Sequence, residues 1–336
     1  MPDHGGNIAQ ASRRWGIPPG DWLDLSTGIS PFPYPVPDIG ADIWRRLPHR
    51  GDALLAAAKA YYGTDEIIAL AGSQAAIQTL PRVLGLNAAA ARVEIVSPMF
   101  SEHPHAWRLA GAQVNVIQPD AILQAADESD VLLLANPNNP TGDAWSADTL
   151  LAAHDRLARR GRWLVIDEAF IDASPEDSLA THAGQPGLVV LRSLGKFFAL
   201  AGARVGFALA PADVRERLQR EIGPWAVAAP SEVVATHALR NTAYQDTTRA
   251  RLADASARLQ RELESRGFAV DGMTQYFAWV RHEEARDIQS QFAARGILIR
   301  VFDEPLSFRI GLPGSDAEWK RLLEGLDHVS HLHARR

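Results

Sequence analysis

No cysteine occurs among the 336 residues, which excludes disulfides, thiolate metal sites, iron–sulfur clusters and cysteine nucleophiles. Positive charge is in deficit as well. The 34 Lys and Arg face 40 Asp and Glu, for a net charge of −6, whereas a chain that neutralises nucleic-acid phosphates needs an excess of cations. Also missing is any apolar run near the roughly 20 residues that span a bilayer. The opening MPDHGGNIAQ lacks the basic and apolar segments of a secretory signal, so a cytoplasmic location is expected. There is no internal repeat and no low-complexity tract. What is present is an ordinary globular composition, 46% hydrophobic and 22% charged, on a chain long enough to divide its core between two domains.

A Pro- and Gly-rich opening (Ile17-Pro18-Pro19-Gly20, then Pro31, Pro33, Pro35 and Pro37) reads as an arm over residues 1–35. Asp52 to Gly63 has the cap, apolar spacing and terminal glycine of a helix. Short apolar runs then alternate with helical stretches: 67–70, 93–97, 114–117, 131–135, 163–169, 188–191 and 205–210. This rhythm predicts an α/β domain over 36–225 with a mostly parallel sheet of seven strands, covered by helices. From Pro230 the pattern changes to one long polar helix through about Arg266, strands near 276–281, 297–302 and 307–312, and a closing helix from Ser315. A smaller α+β domain over 226–336 is expected, with the break near Pro224 to Pro230.

The segment Ser193-Leu-Gly-Lys196-Phe-Phe-Ala-Leu-Ala-Gly-Ala-Arg204-Val-Gly206 lies between two apolar strands and is rich in small residues. Lysines are mostly surface residues, but burial disfavours the ammonium, so a lysine in a dry turn can attack an aldehyde and form a Schiff base. Upstream, Asn136-Pro-Asn-Asn-Pro-Thr-Gly142 and Val165-Ile-Asp167-Glu-Ala-Phe170 each follow the end of an apolar strand, where open α/β sheets bind ligands. An aspartate there is costly unless a cation or donor meets it. A protonated pyridine nitrogen is such a partner. After the strand at 67–70, Gly72-Ser73-Gln74 is a glycine turn with a capping serine at a helix start, which favours an anion.

These motifs, in this order and at this spacing, resemble the fold-type I pyridoxal-phosphate enzymes of the aspartate aminotransferase superfamily across nearly the whole chain. The resemblance implies pyridoxal 5'-phosphate as cofactor. It makes Lys196 the residue that forms the imine with the cofactor aldehyde, and Asp167 the carboxylate that keeps the ring nitrogen protonated so that the ring serves as an electron sink. It makes Asn139 a donor to the ring's phenolic oxygen and Phe100 the aromatic stacked on the ring. Gly72, Ser73, Gln74, Ser193 and Arg204 would hold the phosphate, Arg204 standing eight residues past the lysine. Two positions depart from the pattern. Phe170 replaces the usual tyrosine, so one donor to the ring oxygen is missing. Leu47-Pro48-His49 stands where relatives carry the Tyr-Pro-Asp that reaches a partner subunit's phosphate; a homodimer is still expected.

Fold and cofactor do not fix the reaction. In Ser307-Phe-Arg309-Ile-Gly311 the arginine matches the family residue that grips a substrate α-carboxylate as a planar fork. The opening His4-Gly5-Gly6-Asn7 and the stretch Asp24 to Gly28 resemble the threonine-phosphate decarboxylase branch, close to the histidinol-phosphate aminotransferases. That branch implies a mobile imidazole and amide, His4 and Asn7, that fold over the site toward a substrate phosphate, with Gly28 nearby and Arg300 as a second cation. The implied reaction is decarboxylation of O-phospho-L-threonine to aminopropanol phosphate and carbon dioxide in cobalamin biosynthesis. The alternatives are an aminotransferase of the histidinol-phosphate type and a non-catalytic scaffold on the same fold. His103, His105, His328, His331 and His333 lack an accompanying carboxylate pattern, so no metal is expected.

Overall fold

The computed structural model describes residues 4–48 and 52–333, without the side chains of 331–333. His49, the arm residues before His4 and the side chains of His331 and His333 therefore lie outside the described residues. The chain forms two compact units: Pro33–Asn139 with Asp143–Thr247, and the described parts of Met1–Phe32, Pro140–Gly142 and Thr248–Arg336.

Strand β1 (Leu23–Asp24) belongs to the smaller unit. The larger unit holds β2 (Ile67–Leu70), β3 (Arg92–Val96), β4 (Gln113–Ile117), β5 (Val131–Ala135), β6 (Trp163–Asp167), β7 (Leu188–Ser193) and β8 (Gly206–Leu209). They form one seven-stranded sheet in the order β2-β8-β7-β6-β5-β3-β4. Only β8 runs against its neighbours, pairing antiparallel with β2 and β7. The seven apolar runs of the sequence are these seven strands. Every residue of β5 is buried, because a central parallel strand is covered on both faces and has no reason to alternate. Leu133, Val165, Val189 and Leu191 pack against Ile77, Leu80 and Trp107 from the helices Ser73–Val83 and Glu102–Leu109. Each such side chain contributes about 2 kcal/mol by leaving water.

The smaller unit adds β9 (Gly272–Met273), β10 (Phe277–Arg281), β11 (Ile297–Leu298), β12 (Arg300–Asp303) and β13 (Leu306–Gly311). β12, β13, β10 and β9 form an antiparallel sheet in that order.

The opening residues pack into the smaller unit. Ile8–Trp15 is a helix whose N-cap Asn7 accepts from Gln10 N at 3.1 Å, Ala11 packs with Trp22 and Ala293, and β1 pairs in parallel with β11. The expected long helix is two helices, Ala229–Arg240 and Thr242–Glu264. Asn241 leaves the helical conformation and its Oδ1 accepts from Tyr244 N at 3.0 Å, so its short polar side chain starts a new helix instead of continuing the old one. The helix Ala229–Arg240 packs on Asp52–Tyr62 of the larger unit. For that reason the break between units falls at Thr247 instead of near Pro224 to Pro230.

Candidate active site

In the larger unit the parallel strands β5 and β6 end side by side at Ala135 and Asp167, and β7 runs beside them past Leu191 to Ser193. Their C-terminal ends open onto a cavity of about 140 Å³. Its lining includes Ser73, Gln74, Phe100, Asn139, Asp167, Phe170, Ser193, Lys196 and Arg204. All the cofactor residues expected from the sequence thus face one space except Gly72, which adjoins Ser73. Lys196 Nζ lies 5.3 Å from the centre of the Phe170 ring.

The phosphate end depends on two glycines. Gly72 has φ +76°, and a Cβ there would stand 2.5 Å from Arg204 Nη2; a Cβ on Gly206 would stand 2.3 Å from Ser73 N. Any larger residue would push the guanidinium or the first helical amide away from the place where an anion would sit. Gly72 is itself the N-cap, with no side-chain capping bond. Ser73 is therefore the first helical residue and not the cap expected from the sequence. Its amide belongs to the first turn, whose N–H groups have no partner within the helix. Arg204 adopts a left-handed backbone at φ 52°, a conformation uncommon outside glycine, and its Nη1 donates to Ala201 O at 3.2 Å.

Asp167 is 6% exposed. Its Oδ1 accepts from Ala169 N at 3.0 Å, and its Oδ2 lies 2.8 Å from Nε2 of the buried His103. The sequence shows His103 only as an unsupported metal-ligand candidate, because its actual partner is 64 residues away. The available signal was its spacing, three residues after Phe100 at the start of a helix. Phe100 packs edge-on against the same imidazole, with ring centres 6.2 Å apart. One residue before His103, Glu102 accepts from Gln74 Nε2 at 2.6 Å. The set of a buried carboxylate, a lysine, an aromatic wall and a cluster of hydroxyl, amide and guanidinium donors fits pyridoxal 5'-phosphate.

In the smaller unit, Arg300 and Arg309 stand directly opposite each other on β12 and β13, hence on the same face. Arg309 is buried, its Nη2 donates to Ser26 O at 2.5 Å and its guanidinium lies 4.6 Å from the Phe277 ring centre. Burial and the like charge of Arg300 push its pKa down to about 9, while Asp24 opposes the shift. A second cavity in this unit is lined by His4, Asn7 and Arg300 together with Arg14, Ser26 and Arg286. Gly28, at φ 64°, is absent from that lining. Asn7 is engaged as the cap of its own helix, and Gly6 N donates to Ser26 Oγ at 2.7 Å.

The description "Aminotransferase class I and II" belongs to the family whose model matches residues 47–326. The chain belongs to that family. As a class I and II aminotransferase-family member it is 47% identical over 322 residues to the threonine-phosphate decarboxylase of Pseudomonas aeruginosa, covering 96% of each chain. It is 37% identical over 329 residues to that of a Sinorhizobium species, covering 96% of this chain and 97% of the other. Among solved structures, the histidinol-phosphate aminotransferase of Sinorhizobium meliloti in complex with pyridoxal-5'-phosphate has a TM-score of 0.83 at 21% identity, over 98% of this chain and 95% of that one. The fold expected from the three motifs is the fold found.

Two substitutions test this reading of the cavity. His103→Ala removes a hydrogen bond to a buried charge, an interaction of about 1.5–3 kcal/mol. Cofactor affinity, read by fluorescence titration, is expected to fall about tenfold or more; unchanged affinity would remove His103 from the site. Phe170→Tyr restores a donor. The pH midpoint of the cofactor absorbance band is expected to fall below that of the wild type, and an identical midpoint would sink the assignment.

Proposed function

We propose that this protein is a pyridoxal-phosphate-dependent decarboxylase. It converts O-phospho-L-threonine to aminopropanol phosphate and carbon dioxide in assembly of the cobalamin nucleotide loop, and it works as a homodimer. The observation that carries the substrate assignment is the arginine pair of the smaller unit. Two guanidinia stand side by side, one of them buried and held below its ordinary pKa by burial and by the other's like charge, an arrangement that favours anionic ligands. A substrate with a carboxylate and a phosphate supplies one for each. Arg309 takes the carboxylate as a fork, and Arg300 takes the phosphate with help from His4. Asn7 caps its helix through Oδ1 and donates Nδ2 to Gln10 at 2.8 Å, so its contribution to the phosphate requires that it give up this second bond. The full-length similarity to threonine-phosphate decarboxylases supports the same substrate.

When bound, the cofactor supplies a protonated ring into which the electron pair of the breaking Cα–carboxylate bond can delocalise. The residues do the rest. Asp167 holds the proton on the ring nitrogen, and His103 with Ala169 N holds Asp167. Phe100 would stack on the ring. Arg309, by gripping the carboxylate as a fork, would favour cleavage of the Cα–carboxylate bond over the Cα–hydrogen bond. Lys196, which lines the cavity, would hold a proton on Nζ and pass it to the substrate Cα. A transaminase would align the Cα–hydrogen bond instead.

The dimer is supported by the larger unit's exposed apolar side chains. Trp44, Leu47 and Trp225 are 68%, 64% and 59% exposed, and Trp225 lines a groove with Pro48, Leu55 and Val227. Apolar side chains of this size left exposed are ones that an interface covers. A second copy about a two-fold axis would cover the same surface on each chain.

Purified protein with added pyridoxal phosphate is to be given O-phospho-L-threonine alone, and then histidinol phosphate with 2-oxoglutarate. Carbon dioxide release with no keto acid is expected; glutamate formation would transfer the protein to the aminotransferases. In light scattering the mass is expected at twice the 36.6 kDa chain, and a monomer would withdraw the dimer.

A further inference from the structure

Asp167 and Ser193 point to the cavity face of the sheet, and the residues next to them, Glu168 and Arg192, point to the opposite face. β6 and β7 pair in parallel with Asp167 beside Leu191, and Glu168 N donates to Leu191 O at 2.9 Å. Side chains alternate along a strand, so Glu168 and Arg192 meet directly behind the two expected cofactor ligands. Glu168 accepts from Arg192 Nη1 at 2.7 Å, Ser178 Oγ at 2.6 Å and Leu179 N at 2.8 Å. The second arm of the guanidinium, Nη2, donates to Asp172 Oδ1, which also accepts from Tyr61 OH at 3.1 Å. Asp172 lies two residues past Phe170. Glu168 and Asp172 are fully buried and Arg192 is 2% exposed, with the Tyr62 ring centre 4.6 Å from its Cζ. Burial raises the Glu168 pKa, and the guanidinium opposes that shift. Burial disfavours the Arg192 charge, and Asp172 and Glu168 more than offset it.

Buried ion clusters are weak devices for stability, since well-packed apolar residues often serve as well. What this one offers is geometry. A rigid fork grips one residue next to Asp167, a second in the turn just after Phe170, and belongs to the strand that delivers Ser193.

We propose that Arg192 is a positioning residue for the cofactor site, its two-pronged bridge to Glu168 and Asp172 holding Asp167, Phe170 and Ser193 at the spacing the cofactor needs. The inference rests on the assignment of Asp167 and Ser193 as cofactor ligands.

The test compares the full-length protein with Arg192→Lys, which keeps the cation and loses the fork, and with Tyr61→Phe, which removes the outer bond to Asp172. Three readouts are taken: far-ultraviolet circular dichroism of the apo-protein, cofactor dissociation constant, and visible circular dichroism of the bound cofactor. Arg192→Lys is expected to keep the wild-type far-ultraviolet spectrum, weaken cofactor binding about tenfold, as losses of supporting contacts around a bound group do, and reduce the visible signal. Tyr61→Phe is expected to weaken binding about threefold. If Arg192→Lys lowers only the melting temperature, with cofactor affinity and visible signal unchanged, Arg192 is structural and the proposal is overturned. If that variant does not fold, Tyr61→Phe decides alone, and wild-type affinity overturns the proposal. Asp167→Asn serves as control: wild-type cofactor binding in that variant would show that the underlying assignment had failed, whereas loss of binding there beside an unaffected Arg192→Lys would defeat the positioning role alone.

Discussion

A carboxylate buried at the end of a parallel strand is costly, and the cost at Asp167 governs how the larger unit is built around it. One oxygen is met by an amide two residues on and the other by an imidazole from the helix Glu102–Leu109. The strand must therefore stop where it does, and that helix must start close to the strand's end. The next residue, Glu168, raises the same problem on the other face, and Arg192 answers it there. Two adjacent anions, each satisfied from a different side, pin this strand end front and back, and the lysine turn, the glycine turn and Arg204 are arranged around it.

The smaller unit presents the inverse situation. Its β12 and β13 set two guanidinia abreast, where an ordinary sheet would pair opposite charges. Asp24 and the Ser26 carbonyl moderate the pair. Both contacts come from the N-terminal segment, whose own stability depends on the Ile8–Trp15 helix, the small cluster around Trp22 and the β1 pairing with β11. An opening that reads as an arm in sequence is in this way part of the electrostatics of the arginine pair.

What the sequence displayed and what it hid have physical reasons. The seven strands were legible because doubly covered strands are apolar without interruption, as Val131 to Ala135 shows. The cavity residues were legible because each sits in a motif of fixed local shape, strand then turn then helix. Asn241 was not, since a helical periodicity runs through it and only its side chain's bond to Tyr244 N reveals the restart. The N-terminal helix is short and owes its existence to contacts far along the chain, which local propensity does not register. Ser73 was misplaced by one position because a glycine with positive φ took the cap. His103, Arg192 and Glu168 escaped because their meaning lies in pairings across 64 and 24 residues.

The antiparallel course of β8 has a further consequence. Ser193 pairs with Gly206 and Leu194 N donates to Val205 O at 3.1 Å, so the segment carrying Lys196 is closed at its base as the tip of a hairpin. Its contour is consequently a ruler. The number of residues between the two strands sets how far the amine stands from the hydroxyl of Ser193 at one end and the guanidinium of Arg204 at the other. Insertions elsewhere on the surface are absorbed by loops with slack, but an extra residue here would separate groups that line one small cavity. Sequences descended from this one can vary the side chains along that tip far more freely than its length.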